Sequence, residues 1–141
     1  MDDPGTVGYA SRLGLRAQNT AQLIDSINRG LAFRAFERLQ ADMGLTHREL
    51  AGLVGISTRT LARRKAEGKL SPAESERLVR ASRIFDGSVR LYDGDKVAAL
   101  TWLRSPAMAL GDRKPLEFAR TEVGGREVED LIGRLEHGVF T

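Results

Sequence analysis

Residues 46–65, THRELAGLVGISTRTLARRK, constrain the fold of this chain more than any other stretch. The apolar spacing predicts a helix, a tight turn and a second helix. Gly55 can adopt the left-handed backbone that ends the first helix, and Ser57 can cap the second helix with its hydroxyl. Four apolar side chains are predicted to face a shared core: Leu50, Val54, Ile56 and Leu61.

The second helix of this stretch is predicted to present a basic face to solvent. Its predicted DNA-binding residues are Ser57, Thr58, Arg59, Thr60, Arg63 and Arg64. This is the layout of a helix-turn-helix, in which one helix supports and the next enters the major groove. The alternative is an ordinary pair of helices with a solvated basic face. The small Ala51, the turn glycine and the basic face occur together, and this coincidence favours DNA binding.

Charge is divided unevenly along the 141 residues. Residues 1–90 contain 15 Lys and Arg against 10 Asp and Glu, a net charge of +5, whereas residues 91–141 contain 7 against 9, a net charge of −2. Basic residues neutralise DNA phosphates, so the first part suits nucleic acid. The mildly acidic second part suits a different partner.

Composition also limits the compartment and the class of protein. The chain has no cysteine, which excludes disulfides and thiolate zinc sites and fits a reducing cytosol. No apolar run approaches the roughly 20 residues of a membrane helix, and the acidic N-terminus lacks the apolar core of a signal peptide. We therefore expect a cytoplasmic protein with no membrane partner.

We predict an all-α protein with a helix-turn-helix lobe and a smaller helical C-terminal lobe. Residues 1–20 are expected to be a flexible arm, residues 21–90 the DNA-binding lobe and residues 91–141 the second lobe. Thr46 and Glu49 predict a capping box. Gly87 is a candidate bend in a long helix, and Gly124-Gly125 is predicted to be a turn between helices.

Catalytic and metal-binding patterns are missing from the sequence. The two histidines, His47 and His137, are far apart and have no partner at metal-ligand spacing. No nucleophile elbow, phosphate loop or dinucleotide fingerprint is present. We predict no catalytic residues, no metal and no cofactor, so an enzyme is the least favoured class.

The chain resembles the Xre/MbcA/ParS-type antitoxins of bacterial toxin–antitoxin pairs over about residues 30–139. The resemblance rests on five groups: Arg59-Thr60-Leu61 with Arg63-Arg64, the run Glu74 to Leu78, Trp102-Leu103 with Pro106, Leu110-Gly111 with Pro115-Leu116, and His137-Gly138-Val139. It implies a Cro/repressor-type helix-turn-helix that represses the protein's own operon. It also implies a cognate RES-domain toxin, an enzyme that consumes NAD and whose active site the C-terminal lobe obstructs. One position departs from the common pattern, because many helix-turn-helix proteins have an apolar anchor where this chain has Arg64.

Together with the resemblance, exposure and chain position suggest which residues contact the toxin. The candidates are Trp102, Leu110, Gly111, Glu122, Gly138, Val139, Phe140 and Thr141. Trp102 lies on a helix, within residues 97–103, that is apolar on most sides, so this helix is either buried all round or covered by another chain. The obstructing segment is the C-terminal tail, the loop 110–114 or the turn near Glu122.

We expect a homodimer on operator DNA or a larger hetero-oligomer with the toxin, because such proteins and their operators usually share two-fold symmetry. The alternative function is a free-standing, phage-repressor-like regulator whose C-terminal lobe only dimerises.

Overall fold

The computed structural model describes residues 7–138, and this part of the chain is helical, as predicted. Eight α-helices follow in chain order: α1 (Thr20–Arg29), α2 (Phe33–Met43), α3 (His47–Val54), α4 (Thr58–Glu67), α5 (Pro72–Leu91), α6 (Lys96–Leu103), α7 (Pro115–Phe118) and α8 (Glu122–Glu136). Two 3₁₀ helices, Gly8–Leu13 and Met108–Leu110, complete the set. Extended pairing in the described residues is limited to isolated bridges. No helix within residues 7–138 is long and apolar enough to cross a membrane.

The segment before α1 is part of the folded core, so the predicted flexible arm is wrong for residues 7–19. Ala10 and Leu13, in the first 3₁₀ helix, are buried. Arg12 donates a hydrogen bond from Nη1 to the Asp42 carboxylate of α2 at 2.6 Å. A 3₁₀ helix has three residues per turn, so its apolar residues do not follow the 3.6-residue period used to predict helices.

The first compact unit lies within residues 1–82 and contains α1 to α4 and the start of α5. Its largest fully buried side chains include Phe36, Leu39, Leu50, Val54 and Leu78. Three hydrogen bonds join the α1–α2 connection to the α4–α5 region: Phe33 N to Gly68 O and Leu70 N to Leu31 O, both 2.9 Å, and Leu31 N to Ser75 Oγ, 2.8 Å. These bonds fix the end of α4 against the start of α2.

The second unit lies within residues 83–141. The boundary along the chain therefore falls within α5, and not after residue 90 as predicted. Arg83 donates two hydrogen bonds to the Glu129 carboxylate, at 3.0 and 2.9 Å. Gly87 does not break α5, which is continuous from Pro72 to Leu91. A methyl group there would lie 3.3 Å from Ile132 Cγ2, so the glycine allows close packing of α5 against α8.

Gly124 and Gly125 lie in the first turn of α8, and the predicted turn at these residues is wrong. The chain turns earlier, between Phe118 and Thr121, and the Thr121 hydroxyl caps α8 by accepting from Gly124 N at 3.0 Å. A Cβ on Gly124 would overlap the backbone oxygen of Phe118. Glycine is therefore required by close packing of two helices and not by backbone direction.

Candidate nucleic-acid interface and protein-binding surface

The local geometry of α3 and α4 is that of a helix-turn-helix. Thr46 Oγ1 accepts from Glu49 N at 3.1 Å and Glu49 Oε1 accepts from Thr46 N at 3.0 Å, which confirms the capping box. Gly55 has φ 74°, as predicted for the turn. Ser57 Oγ then accepts from Thr60 N at 3.1 Å and caps α4.

Helix α4 is less buried than α1, α2 and α3. None of its ten residues is buried, and the structure describes them all. Leu61 is half-buried, whereas Thr58, Arg59 and Arg63 are exposed. Arg59 and Arg63 are four residues apart and therefore share one face of the helix. The major groove of DNA admits an α-helix, so this exposed face is a candidate for entering it.

Arg64 does not belong to this exposed basic face, so the prediction that its side chain points outward is wrong. Its Nε and Nη2 donate to the two carboxylate oxygens of Glu74 at 2.7 and 3.2 Å, and its Nη1 donates to Glu67 at 3.1 Å. The Arg64 side chain is 20% exposed. The guanidinium is thus engaged within the protein, at a position where many helix-turn-helix proteins have an apolar anchor.

Glu74 is a buried carboxylate with three donors around it. Besides the two bonds from Arg64, it accepts from Ser71 N at 2.9 Å at the start of α5. Burial alone would raise the pKa of Glu74, but the hydrogen bonds from Arg64 and Ser71 outweigh burial and hold the pKa below its ordinary value. The carboxylate is therefore charged at neutral pH, and it forms a charge-assisted bidentate pair with Arg64.

Two other predicted DNA-binding residues, Ser57 and Thr60, have local roles as well. The Ser57 hydroxyl donates to Thr60 Oγ1 at 3.1 Å, so both side chains are engaged at the start of α4. Sequence reasoning missed three exposed cations on or beside the helix-turn-helix: Arg48, Lys65 and Lys69. Their charge and their place in or beside the motif were visible in the sequence, but only the fold shows that their side chains are exposed.

The second unit exposes apolar side chains that belong to short or terminal helical segments. In α6 only Ala99 and Leu103 are buried, and Val97 is 77% exposed, so burial of this helix on all sides is excluded. Trp102 is half-buried, which leaves part of its ring accessible. Met108 is 89% exposed and Val123 is 74% exposed. These four apolar side chains of the second unit are therefore wholly or partly open to solvent.

Residues 110–114, which begin at the last residue of the second 3₁₀ helix, are partly buried and partly exposed. Leu110 is buried, so this predicted toxin contact is a core residue in the chain alone. Gly111 is exposed with φ 65°, and Ala107 N donates to Arg113 O at 3.0 Å to close the loop. A partner can therefore reach the tip of this loop but not the Leu110 side chain.

A surface hollow of about 420 Å³ lies where α7 meets α8. It is lined by Arg113, Glu117, Phe118, Thr121, Val123, Gly124 and Glu127. Glu122 is exposed at the start of α8 and pairs with Arg126 at 2.8 Å. Gly138 is exposed with φ 73°. The predicted contacts Val139, Phe140 and Thr141 lie outside the described residues.

The described residues contain no group of three or more His, Asp or Glu side chains arranged to hold a metal ion. His47 packs its ring on Phe36, with centroids 6.0 Å apart, in the first unit.

Two family models cover almost all of the described chain. The antitoxin Xre-like helix-turn-helix domain matches residues 10–83, and the antitoxin Xre/MbcA/ParS C-terminal toxin-binding domain matches residues 88–138. A protein named Antitoxin Xre from Yersinia enterocolitica is 41% identical over 130 residues, covering 92% of this chain and 88% of the relative. A second Antitoxin Xre, from Photorhabdus laumondii, is 33% identical over 137 residues, covering 96% and 88%.

The two matched domains correspond to the two compact units. The first domain ends at residue 83, one residue after the end of the first compact unit, and the second domain falls within the second unit. The family is one of antitoxins and DNA-binding regulators and not a family of enzymes. This chain belongs to the Xre family of antitoxins, with an N-terminal helix-turn-helix and a C-terminal toxin-binding domain.

Proposed function

We propose that this antitoxin neutralises a cognate RES-type, NAD-consuming toxin and represses its own operon through α3 and α4. The observation that supports neutralisation is the exposure of three apolar side chains in the second unit, Val97, Met108 and Val123, together with part of Trp102. A contiguous exposed apolar patch marks a protein-binding site, and we propose that these residues form such an apolar surface. Operator DNA and an NAD-consuming toxin are both cytoplasmic partners, so we propose that the protein acts in the cytoplasm.

In this mechanism the apolar surface supplies affinity and an adjoining segment obstructs the active site. The exposed tip at Gly111, the start of α8 at Glu122 and the tail 138–141 remain the candidate obstructing segments. Deleting residues 139–141 tests the tail. Full protection by the truncated antitoxin would transfer the obstructing role to the other two segments.

Neutralisation is tested by co-expressing variants with the neighbouring toxin gene and scoring growth and pull-down. Val97→Asp and Val123→Asp place an acidic group at the second residue of a helix, where the helix dipole favours it, so the fold is retained. We expect both to weaken toxin binding, and Ile24→Asp, 49% exposed in the first unit, to leave it unchanged. Equal protection by all three variants would contradict the assignment of the surface.

Operator binding is supported by the exposed pair Arg59 and Arg63 on the free face of α4. Arginine reads guanine by bidentate hydrogen bonds, and each such contact discriminates by about 1–3 kcal/mol. We expect Arg59→Ala/Arg63→Ala to abolish the specific gel shift of the upstream duplex. The double variant Arg120→Ala/Arg126→Ala, which removes the same charge from the second unit, is the matched control. Specific binding by the first variant, equal to that of the control, would refute base contact by these arginines.

The free-standing regulator is separated from the antitoxin by the same experiments. If the second unit only dimerises, Val97→Asp shifts the sedimentation of the antitoxin alone from dimer to monomer, and no toxin is captured. Under the proposed function the toxin is captured by the wild type and lost in the variant.

A further inference from the structure

Helix α4 must be held at a fixed angle if its exposed arginines are to meet a groove together. None of its side chains is buried, and Leu61 alone on its inner side is half-buried and apolar. The last turn is tied by Phe33 N to Gly68 O at 2.9 Å. The middle of the helix therefore has little of the apolar anchoring that positions most helices.

The start of α5 supplies charged contacts to both helices of the motif. Glu74 accepts two hydrogen bonds from Arg64 of α4, and Arg77, three residues later on the same face of α5, donates from Nε to Val54 O at the end of α3. One turn of α5 thus contacts the C-terminal half of α4 and the C-terminal end of α3. This turn of α5 therefore bridges the two helices of the motif.

We propose that Glu74 is a positioning residue for DNA binding, which holds α4 through Arg64 so that Arg59 and Arg63 face the groove. The inference rests on the operator-binding function proposed above. It also assigns Arg64 a role inside the protein, in place of direct contact with DNA. Two variants, Glu74→Gln and Arg64→Met/Glu74→Gln, and one matched control, Glu67→Gln, distinguish these roles.

The matched pair is Glu74→Gln and Glu67→Gln. Both carboxylates accept a hydrogen bond from Arg64, and each variant removes one negative charge. Glu67 lies on α4 itself, so a general electrostatic effect on DNA affinity would be at least as large for Glu67→Gln. Glutamine at residue 74 can still accept from Ser71 N, so the start of α5 is retained.

The first measurement uses the protein without DNA. Hydrogen–deuterium exchange should be about fivefold faster for the amides of α4 in Glu74→Gln, with α2 unchanged as an internal reference. Glu67→Gln should match the wild type. Equal exchange of α4 in all three proteins would overturn the proposal whether or not the protein binds an operator.

The second measurement is affinity for a duplex of the region upstream of the gene and for a scrambled duplex. We expect Glu74→Gln to lose about tenfold in affinity for the first, equivalent to about 1.4 kcal/mol, with no loss for the second. Glu67→Gln should change neither by more than about twofold. If Glu67→Gln lost as much affinity for the upstream duplex as Glu74→Gln, the loss would be explained by the change of charge alone. That result would overturn the positioning role.

The double variant Arg64→Met/Glu74→Gln separates positioning from contact, and it remains informative if Glu74→Gln alone does not fold. Methionine supplies an apolar anchor, so specific affinity should return to within about threefold of the wild type. The salt dependence of binding should stay unchanged, whereas loss of a phosphate contact lowers its slope by about 1. A lower slope without recovery would show direct contact by Arg64 and overturn the proposal. If the wild type does not shift its upstream duplex, the repressor function fails, and the exchange data still decide whether Glu74 holds α4 through Arg64.

Discussion

Replacing Gly124 and Gly133 by alanine makes the same chemical change twice in α8, with opposite expected results. A methyl group on Gly124 would overlap the backbone oxygen of Phe118, whereas a methyl group on Gly133 would have no atom within 4 Å. A backbone carbonyl cannot rotate away as a side chain can. The first turn of α8 must therefore move away from α7 in Gly124→Ala.

The expected free energies follow from three contributions. Alanine in place of glycine inside a helix stabilises by about 1 kcal/mol in both variants. At Gly124 the overlap costs about 1–3 kcal/mol, and loss of the Thr121 cap, which Gly124 N donates to, costs about 1 kcal/mol more. We expect Gly124→Ala to be destabilised by about 1–3 kcal/mol and Gly133→Ala to be stabilised by about 0.5–1 kcal/mol.

The chain offers a local reporter for this comparison. Trp102 is the single tryptophan, and it lies in α6 of the unit that contains both glycines. Urea unfolding followed by tryptophan fluorescence therefore reports the free energy of unfolding of the second unit, and far-UV circular dichroism of the same samples reports all helices. If Gly124→Ala unfolds at the same urea concentration as Gly133→Ala, the packing account of the two glycines is refuted.

Three further outcomes are expected from the first unit. Because the folded-state pKa of Glu74 is lowered, its contribution to stability is complete above the unfolded pKa of about 4.5 and is lost as pH falls through the folded-state pKa. The free energies of unfolding of the wild type and Glu74→Gln should therefore converge in acid. A constant difference between them across this range would contradict the pairing. Leu13→Ala should cost about 2–5 kcal/mol in urea unfolding, because the segment before α1 is part of the core, and a neutral effect would restore the view of a flexible arm. Thr46→Ala should cost about 1 kcal/mol through loss of the capping box, with Thr101→Ala, on an exposed face of α6, as the comparison.

Local sequence determined the helix ends of the helix-turn-helix. The Thr46–Glu49 box, the Gly55 turn and the Ser57 cap depend on groups within a few residues of one another, so their chemistry is visible in order along the chain. The all-α class followed from apolar periods of the same short range. The two-part charge distribution likewise pointed to two partners before any contact was known.

Tertiary structure decided the features that depend on distant atoms. Arg64 resembles its basic neighbours in the sequence, and its direction depends on Glu74 in the next helix. Leu110 resembles an exposed loop residue but is buried in its unit. Gly124 looks like a turn glycine, yet the carbonyl of Phe118 requires it. In each case residue type is compatible with two environments, and only packing between elements selects one of them.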